Sequence, residues 1–113
     1  MKLVSLVAAG IAGLLATACA SHPPVRAEAH RRVEAGATLV DVRSAAEFAE
    51  GHLPGAVNIP VDELASRLDE LGGPEASVIV YCRSGARSGK AERLLKEKGF
   101  TRVLDLGPMS NWE

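Results

Sequence analysis

Residues 77–95 read SVIVYCRSGARSGKAERLL, and this stretch decides the fold. Ser77 to Tyr81 is apolar on both faces, the pattern of a strand buried in the middle of a parallel sheet. From Ala86 to Lys98 the residues Ala91, Leu94 and Leu95 fall at helical spacing, and Gly99 supplies a stop. Between strand and helix stand a lone thiol, Cys82, and a loop of glycine, serine and arginine. In open α/β sheets, sites form where the carboxyl ends of strands lead into helices. The junction is therefore a candidate site.

Working outward, helical and extended patterns alternate. Val25 to Ala35 (VRAEAHRRVEA) reads as a helix ended by Gly36, and Thr38 to Val42 as a short strand. Ser44 caps Ala45 to Ala49, with Glu47 three positions on completing a capping box. Gly51-His52-Leu53-Pro54-Gly55 is a loop, and Val57 to Ile59 a second strand closed by Pro60. Leu64, Leu68 and Leu71 share one helical face, so a helix is expected over 63–71, ended by Gly72-Gly73-Pro74. Thr101 to Leu104 gives the last strand, and Asn111-Trp112 a terminal anchor. The alternation specifies an α/β class with a mostly parallel sheet.

The amino terminus sets the compartment. Lys2, then the apolar run Leu3 to Leu15, then small residues make the three-part pattern of a secretory signal peptide over residues 1–18. The apolar run is shorter than the ~20 residues a membrane-spanning helix needs. Two processing routes fit. Ala16-Thr17-Ala18-Cys19 resembles a bacterial lipobox with Ala16 where leucine is usual, which would make Cys19 the lipid-modified first residue. Small-x-small sites at Ala16-Thr17-Ala18 and Ala18-Cys19-Ala20 also suit ordinary signal peptidase. The lipoprotein reading is preferred; Ala20 after the cysteine then points to the periplasmic side of the outer membrane, by resemblance to bacterial lipoproteins. The alternative is a soluble periplasmic protein. Residues 19–24 form a short tether, and 25–113 a single domain with one core. A formal charge of −1, falling to −2 without Lys2, carries no basic bias toward nucleic acid.

With Cys19 lipidated or removed, Cys82 has no disulfide partner, and an odd thiol in an oxidising compartment is a candidate reactive group. The loop behind it, Arg83-Ser84-Gly85-Ala86-Arg87-Ser88, suits an anion. Gly85 permits the backbone conformation that turns successive N–H groups inward, and the new helix adds its positive end. Arg83 and Arg87 stand within five positions of the sulfur, and cationic surroundings lower a thiol from ~8.5 toward ~3.5–7.5. A buried structural cysteine is the alternative, and the glycine-arginine loop argues against it. Two other motifs fail. Gly85 to Ala91 has three residues between its glycines where a phosphate-binding P-loop has four, and Ala91 replaces the hydroxyl that would bind magnesium. No G-x-S-x-G elbow is present.

Two longer motifs, LVDVRSAAEFAEGHLPGAVNIPVDEL over residues 39–64 and VIVYCRSGARSGKAERLL over 78–95, resemble single-domain rhodaneses from Val25 to Trp112. The resemblance implies a five-stranded, mainly parallel sheet with helices on both faces. It implies that Cys82 takes a sulfane sulfur from a small anionic donor such as thiosulfate, as a persulfide, and passes it to cyanide or a thiol. No cofactor beyond that covalent sulfur is implied, and a monomer is expected. The backbone from Arg83 to Ser88 would supply donors to the outer sulfur, Arg83 and Arg87 would orient the donor, and Asp41 and Arg43 would fix turns beside the loop. Cys82 to Arg87 is C-x4-R, one residue shorter than the C-x5-R of phosphatases sharing this fold, which favours sulfur over phosphate. Family members often end in Gly-Gly before the tryptophan; here Pro108 intervenes and alters the pocket edge. His52 reads as a structural histidine in a turn, and His22 and His30 lack clustered ligands, so no metal site is expected. The competing readings are a non-catalytic, membrane-tethered module that binds a partner, and a thiol-dependent reductase.

Overall fold

The computed structural model describes residues 24–113; the expected signal peptide (1–18), the lipid site Cys19 and most of the tether lie outside the described residues. Four strands, β1 (Thr38–Asp41), β2 (Val57–Asn58), β3 (Ser77–Cys82) and β4 (Arg102–Pro108), form one sheet in the order β2-β1-β3-β4. Every neighbouring pair is parallel. The expected five-stranded sheet is thus corrected to four strands among the described residues. Each of the four answers to a β-patterned run in the sequence, whereas the fifth had only the family resemblance behind it. Among the described residues, the segment before β1 holds helix α1 (Val25–Glu34), with Pro24 at its amino-terminal cap.

β3 is the central strand, buried from Val78 to Cys82. Its side chains alternate between two cores, as the twofold period of a strand requires. Val78, Val80 and Cys82 face helix α3 (Ala86–Glu97) and the turns carrying Leu64 and Leu71, while Ile79 and Tyr81 face α1 and the carboxyl-terminal turn. Fully burying each of these aliphatic side chains contributes roughly 1.5–3 kcal/mol. The α/β sandwich with helices on both faces therefore stands, with the strand number corrected.

The helix expected over 63–71 is instead two 3-10 segments, Val61–Ser66 and Leu68–Leu71, broken at Arg67 (φ −125°, ψ 23°). Leu64 and Leu71 are buried and Leu68 packs against them, so the apolar spacing is satisfied without an α-helix. Arg67 bridges the break by pairing with Glu63 at 3.0 Å and Glu70 at 2.8 Å. β4 also runs further than expected, to Pro108. A bulge lets it do so: Val80 stands opposite Asp105 but Tyr81 opposite Gly107, leaving Leu106 as the extra residue. Gly107 takes the left-handed conformation (φ +81°) that such a bulge needs, and its N–H donates to Asp105 Oδ1 at 2.8 Å. The terminal turn, Met109–Trp112, is anchored where the Trp112 ring stacks on His30 at 3.7 Å and the His30 Nε2–H donates to the Trp112 carbonyl at 2.8 Å.

Candidate active site

The site grows from the end of β3. Cys82 is fully buried and free. Gly85, at φ +102°, reverses the chain between strand and helix, a conformation costing most other residues about 1–2 kcal/mol. The reversal points amide hydrogens back at the sulfur: Gly85 N–H donates to Sγ at 3.0 Å and Ser88 N–H at 3.3 Å. The Ser88 amide belongs to the first turn of α3, where N–H groups have no partner inside the helix. The thiolate thus occupies the position an anion takes at a helix amino terminus.

Burial pushes the Cys82 thiol up, but donors outweigh it and the net shift is downward. The Ser88 hydroxyl comes first among those donors, followed by the Ser88 and Gly85 amides, with the Ser84 amide contributing least. That hydroxyl also donates to the Gly85 carbonyl at 3.2 Å. Of the six loop residues expected to cradle the sulfur, Ser84, Gly85 and Ser88 lower the thiol, while Arg83, Ala86 and Arg87 make no hydrogen bond to it.

The arginines were expected to favour the thiolate. Arg87 is coupled to Cys82 by charge, each favouring the other's ionised form, but both arginines give their hydrogen bonds to a carboxylate and not to the sulfur. Arg87 donates to Glu47 from Nη1 at 2.7 Å and from Nη2 at 3.1 Å, and Arg83 Nε donates to the same carboxylate at 3.3 Å. Glu47 is the third residue of α2 (Ala45–Glu50), where it also accepts the Ser44 N–H at 3.0 Å in a complete capping box. Arg87, the Ser44 amide and hydroxyl, and Arg83 together hold the Glu47 carboxyl far below the usual carboxylate range. Glu47 showed in the sequence only as a helix cap. Its second role depends on α2 and the loop meeting in space, 40 residues apart, and no local pattern signals that.

Asp41 and Arg43 lie behind the site. Arg43 donates to Asp41 from Nε at 2.9 Å and from Nη2 at 2.6 Å, and reaches on to the Gly51 carbonyl at 2.7 Å. Tyr81 O–H donates to Asp41 Oδ2 at 2.9 Å and accepts the Leu53 N–H at 3.1 Å. Burial pushes the Tyr81 phenol up to about 12, so it stays a donor at any working pH. The pair therefore ties β1 and β3 to the 51–53 turn. His52 stacks on Phe48 at 3.7 Å and its Nδ1–H donates to the Phe48 carbonyl at 2.9 Å, as befits a structural histidine. Pro108 stands opposite Cys82 across the β3–β4 pair, and a Cβ at Gly85 would meet its Cδ at 3.5 Å. The proline forms one wall of the loop. Among the described residues no three His, Cys, Asp or Glu side chains gather where a metal would bind.

Comparison with known proteins agrees with this geometry. The family described as Rhodanese-like domain matches residues 25–113. The chain is 34% identical over 100 residues to the thiosulfate sulfurtransferase PspE of Escherichia coli, covering 88% of each. It is 46% identical over 91 residues to an HTH-type transcriptional regulator of Mycobacterium tuberculosis, covering 77% of this chain and 39% of the regulator. Several other curated relatives are likewise matched over less than two thirds of their length. Among solved structures, the human single-domain sulfurtransferase TSTD1 superposes with a TM-score of 0.69 at 33% identity, over 76% of this chain and 89% of that one.

Proposed function

The chain belongs to the rhodanese family, and on that premise we propose that it is a sulfurtransferase working through a persulfide on Cys82. One observation carries the reading: a buried free thiol receives two backbone N–H bonds and is lowered from its ordinary value. A core cysteine has no use for such donors, and a non-catalytic module has no use for the nucleophile.

The Cys82 thiolate attacks the sulfane sulfur of a donor such as thiosulfate. The S–S bond of the donor breaks and sulfite leaves with the electron pair, so the enzyme holds Cys–S–S⁻. Cyanide or a thiolate then attacks the outer sulfur, and Cys82 recovers its negative charge as thiocyanate or a new persulfide departs. The charge moves from Sγ in the thiolate to the outer sulfur in the persulfide and back. The N–H groups of Gly85 and Ser88, which bond to Sγ in the free enzyme, therefore serve the thiolate state, and the inward amides of the same loop would serve the outer sulfur.

Intact mass after thiosulfate treatment tests this. The expected result is a reversible gain of one sulfur atom, absent in Cys82→Ser and discharged by cyanide. No adduct on the wild-type protein would overturn it. We further propose export, with residues 1–18 as signal peptide and lipid on Cys19 holding the domain at the periplasmic face of the outer membrane. A diacylated Cys19 peptide from native protein is the expected finding; an unmodified start at Cys19 or Ser21 would mean a soluble periplasmic protein.

A further inference from the structure

Two arginines flank the thiol, yet both are engaged by one carboxylate. Arg87 gives two hydrogen bonds to Glu47 and Arg83 a third. Glu47 is four-fifths buried, and its capping bonds from the Ser44 N–H and O–H, each at 3.0 Å, fix its position. An anion approaching the loop therefore meets a single net positive charge, two guanidinium groups less one carboxylate. Asp62 lines a cleft of about 380 Å³ bordered by Arg87 and adds to the negative side, whereas Glu63 in the same cleft is paired with Arg67.

We infer that Glu47 determines the donor specificity of the Cys82 site, by setting the charge that an incoming anion meets so that donors of higher charge are held back. The inference rests on Cys82 being the reactive group at this loop. The amides that hold the sulfur do not bond to Glu47. The carboxylate therefore acts on arriving anions through charge, while the backbone amides supply the sulfur's hydrogen bonds. Glu47 touches no reacting atom; it acts through Arg83 and Arg87.

The size of the effect follows from Coulomb's law. With water-like screening and a separation on the order of 6 Å, removing one unit charge changes the encounter of a second unit charge by about threefold. Glu47→Gln removes the charge, while glutamine at the third helical position still completes a capping box. The probe is alkylation of Cys82 at low ionic strength by iodoacetate, an anion, and by iodoacetamide, which is neutral. Their rate ratio cancels the thiolate fraction and any general loosening of the loop. In Glu47→Gln the ratio of iodoacetate to iodoacetamide rises about threefold and returns toward the wild-type value in ~1 M salt, where the Debye length is ~3 Å. Glu47→Asp, which keeps the charge, stays near wild type; a purely steric role would disturb both variants alike. The loading rate of dianionic thiosulfate relative to a monoanionic thiosulfonate rises in parallel. An unchanged alkylation ratio in Glu47→Gln would overturn the inference even if sulfur loading proceeds. A raised ratio without loading by either donor would support charge control and count against the sulfurtransferase reading.

Discussion

Replacing Tyr81 by phenylalanine separates what supports the fold from what activates the sulfur. The ring volume is kept, so no cavity forms. What disappears is one hydroxyl serving two buried partners, Asp41 at 2.9 Å and the Leu53 N–H at 3.1 Å. A hydrogen bond to a charged acceptor contributes about 1.5–3 kcal/mol, and a buried amide left without a partner costs about 1–3 kcal/mol. Asp41 keeps its bonds from Arg43, which limits the loss at that end, so about 2–4 kcal/mol is expected overall. Against the ~5–15 kcal/mol of a typical domain, this is a large share. A unit of this size loses roughly 4–8 °C per kcal/mol, which places the fall in Tm at about 8–32 °C. Thermal and urea unfolding followed by circular dichroism measure it, with the urea slope unchanged if only the native state is affected. Tyr81 and Cys82 face opposite cores. Persulfide loading at 15 °C, where the variant is still folded, should therefore stay within about twofold of wild type, since the loop's donors are untouched. A Tm loss below about 4 °C, or loading abolished in a folded Tyr81→Phe protein, would refute the reasoning.

Other changes act on the loop itself. Ser88→Ala removes the donor that heads those lowering Cys82, so the inflection in alkylation rate against pH moves up, toward that of an ordinary thiol. Gly85→Ala forces a Cβ into a left-handed conformation beside Pro108; it should cost about 1–2 kcal/mol of stability and slow alkylation at neutral pH by turning the Gly85 amide off the sulfur. Because the Cys82 thiol is lower folded than unfolded, the unfolded chain binds the extra proton between those two values. Stability to urea therefore rises with pH up to ~8.5 and is lost as pH falls through the folded value, and Cys82→Ser flattens that slope. The Glu47 carboxyl is likewise depressed, so its contribution is complete above ~4.5 and fades as pH falls toward its folded value; Glu47→Gln should show a shallower acid limb in the same titration.

The fold was legible wherever one residue type answers to one local constraint. The capping box at Ser44 and Glu47, the strand buried on both faces at 78–81 and the glycine turn at 85 each satisfy their geometry within a few residues, and each is present. Leu64, Leu68 and Leu71 were read as one helix, and wrongly, for a physical reason: their spacing suits two 3-10 turns with a residue between as well as it suits an α-helix, and the Glu63–Arg67–Glu70 pairs hold the turns. The end of β4 was hidden by Gly107 and Pro108, which read as loop residues but here make a bulge and a strand end. The fifth strand, suggested by family likeness alone, was the point at which no residue pattern supported the expectation.

The partner of the arginines was hidden for a different reason. A charged side chain near a thiol in sequence says nothing of which counter-charge it meets in space, and here Glu47 reaches both guanidinium groups from another element. A backbone amide cannot be diverted in that way. Its direction is fixed by φ and ψ, and the turn at Gly85 aims two of them at one sulfur. Activation built on amides is fixed by the backbone, whereas the side-chain charges reach the sulfur only through space and are set by Glu47, which leaves them free to select the donor. That division predicts opposite patterns for two classes of variant. Changes at Gly85 and Ser88 should move the pH at which Cys82 reacts while leaving the preference between anionic and neutral reagents alone. Changes at Glu47 should act chiefly on that preference, with only a small downward shift in the reaction pH from the same through-space charge.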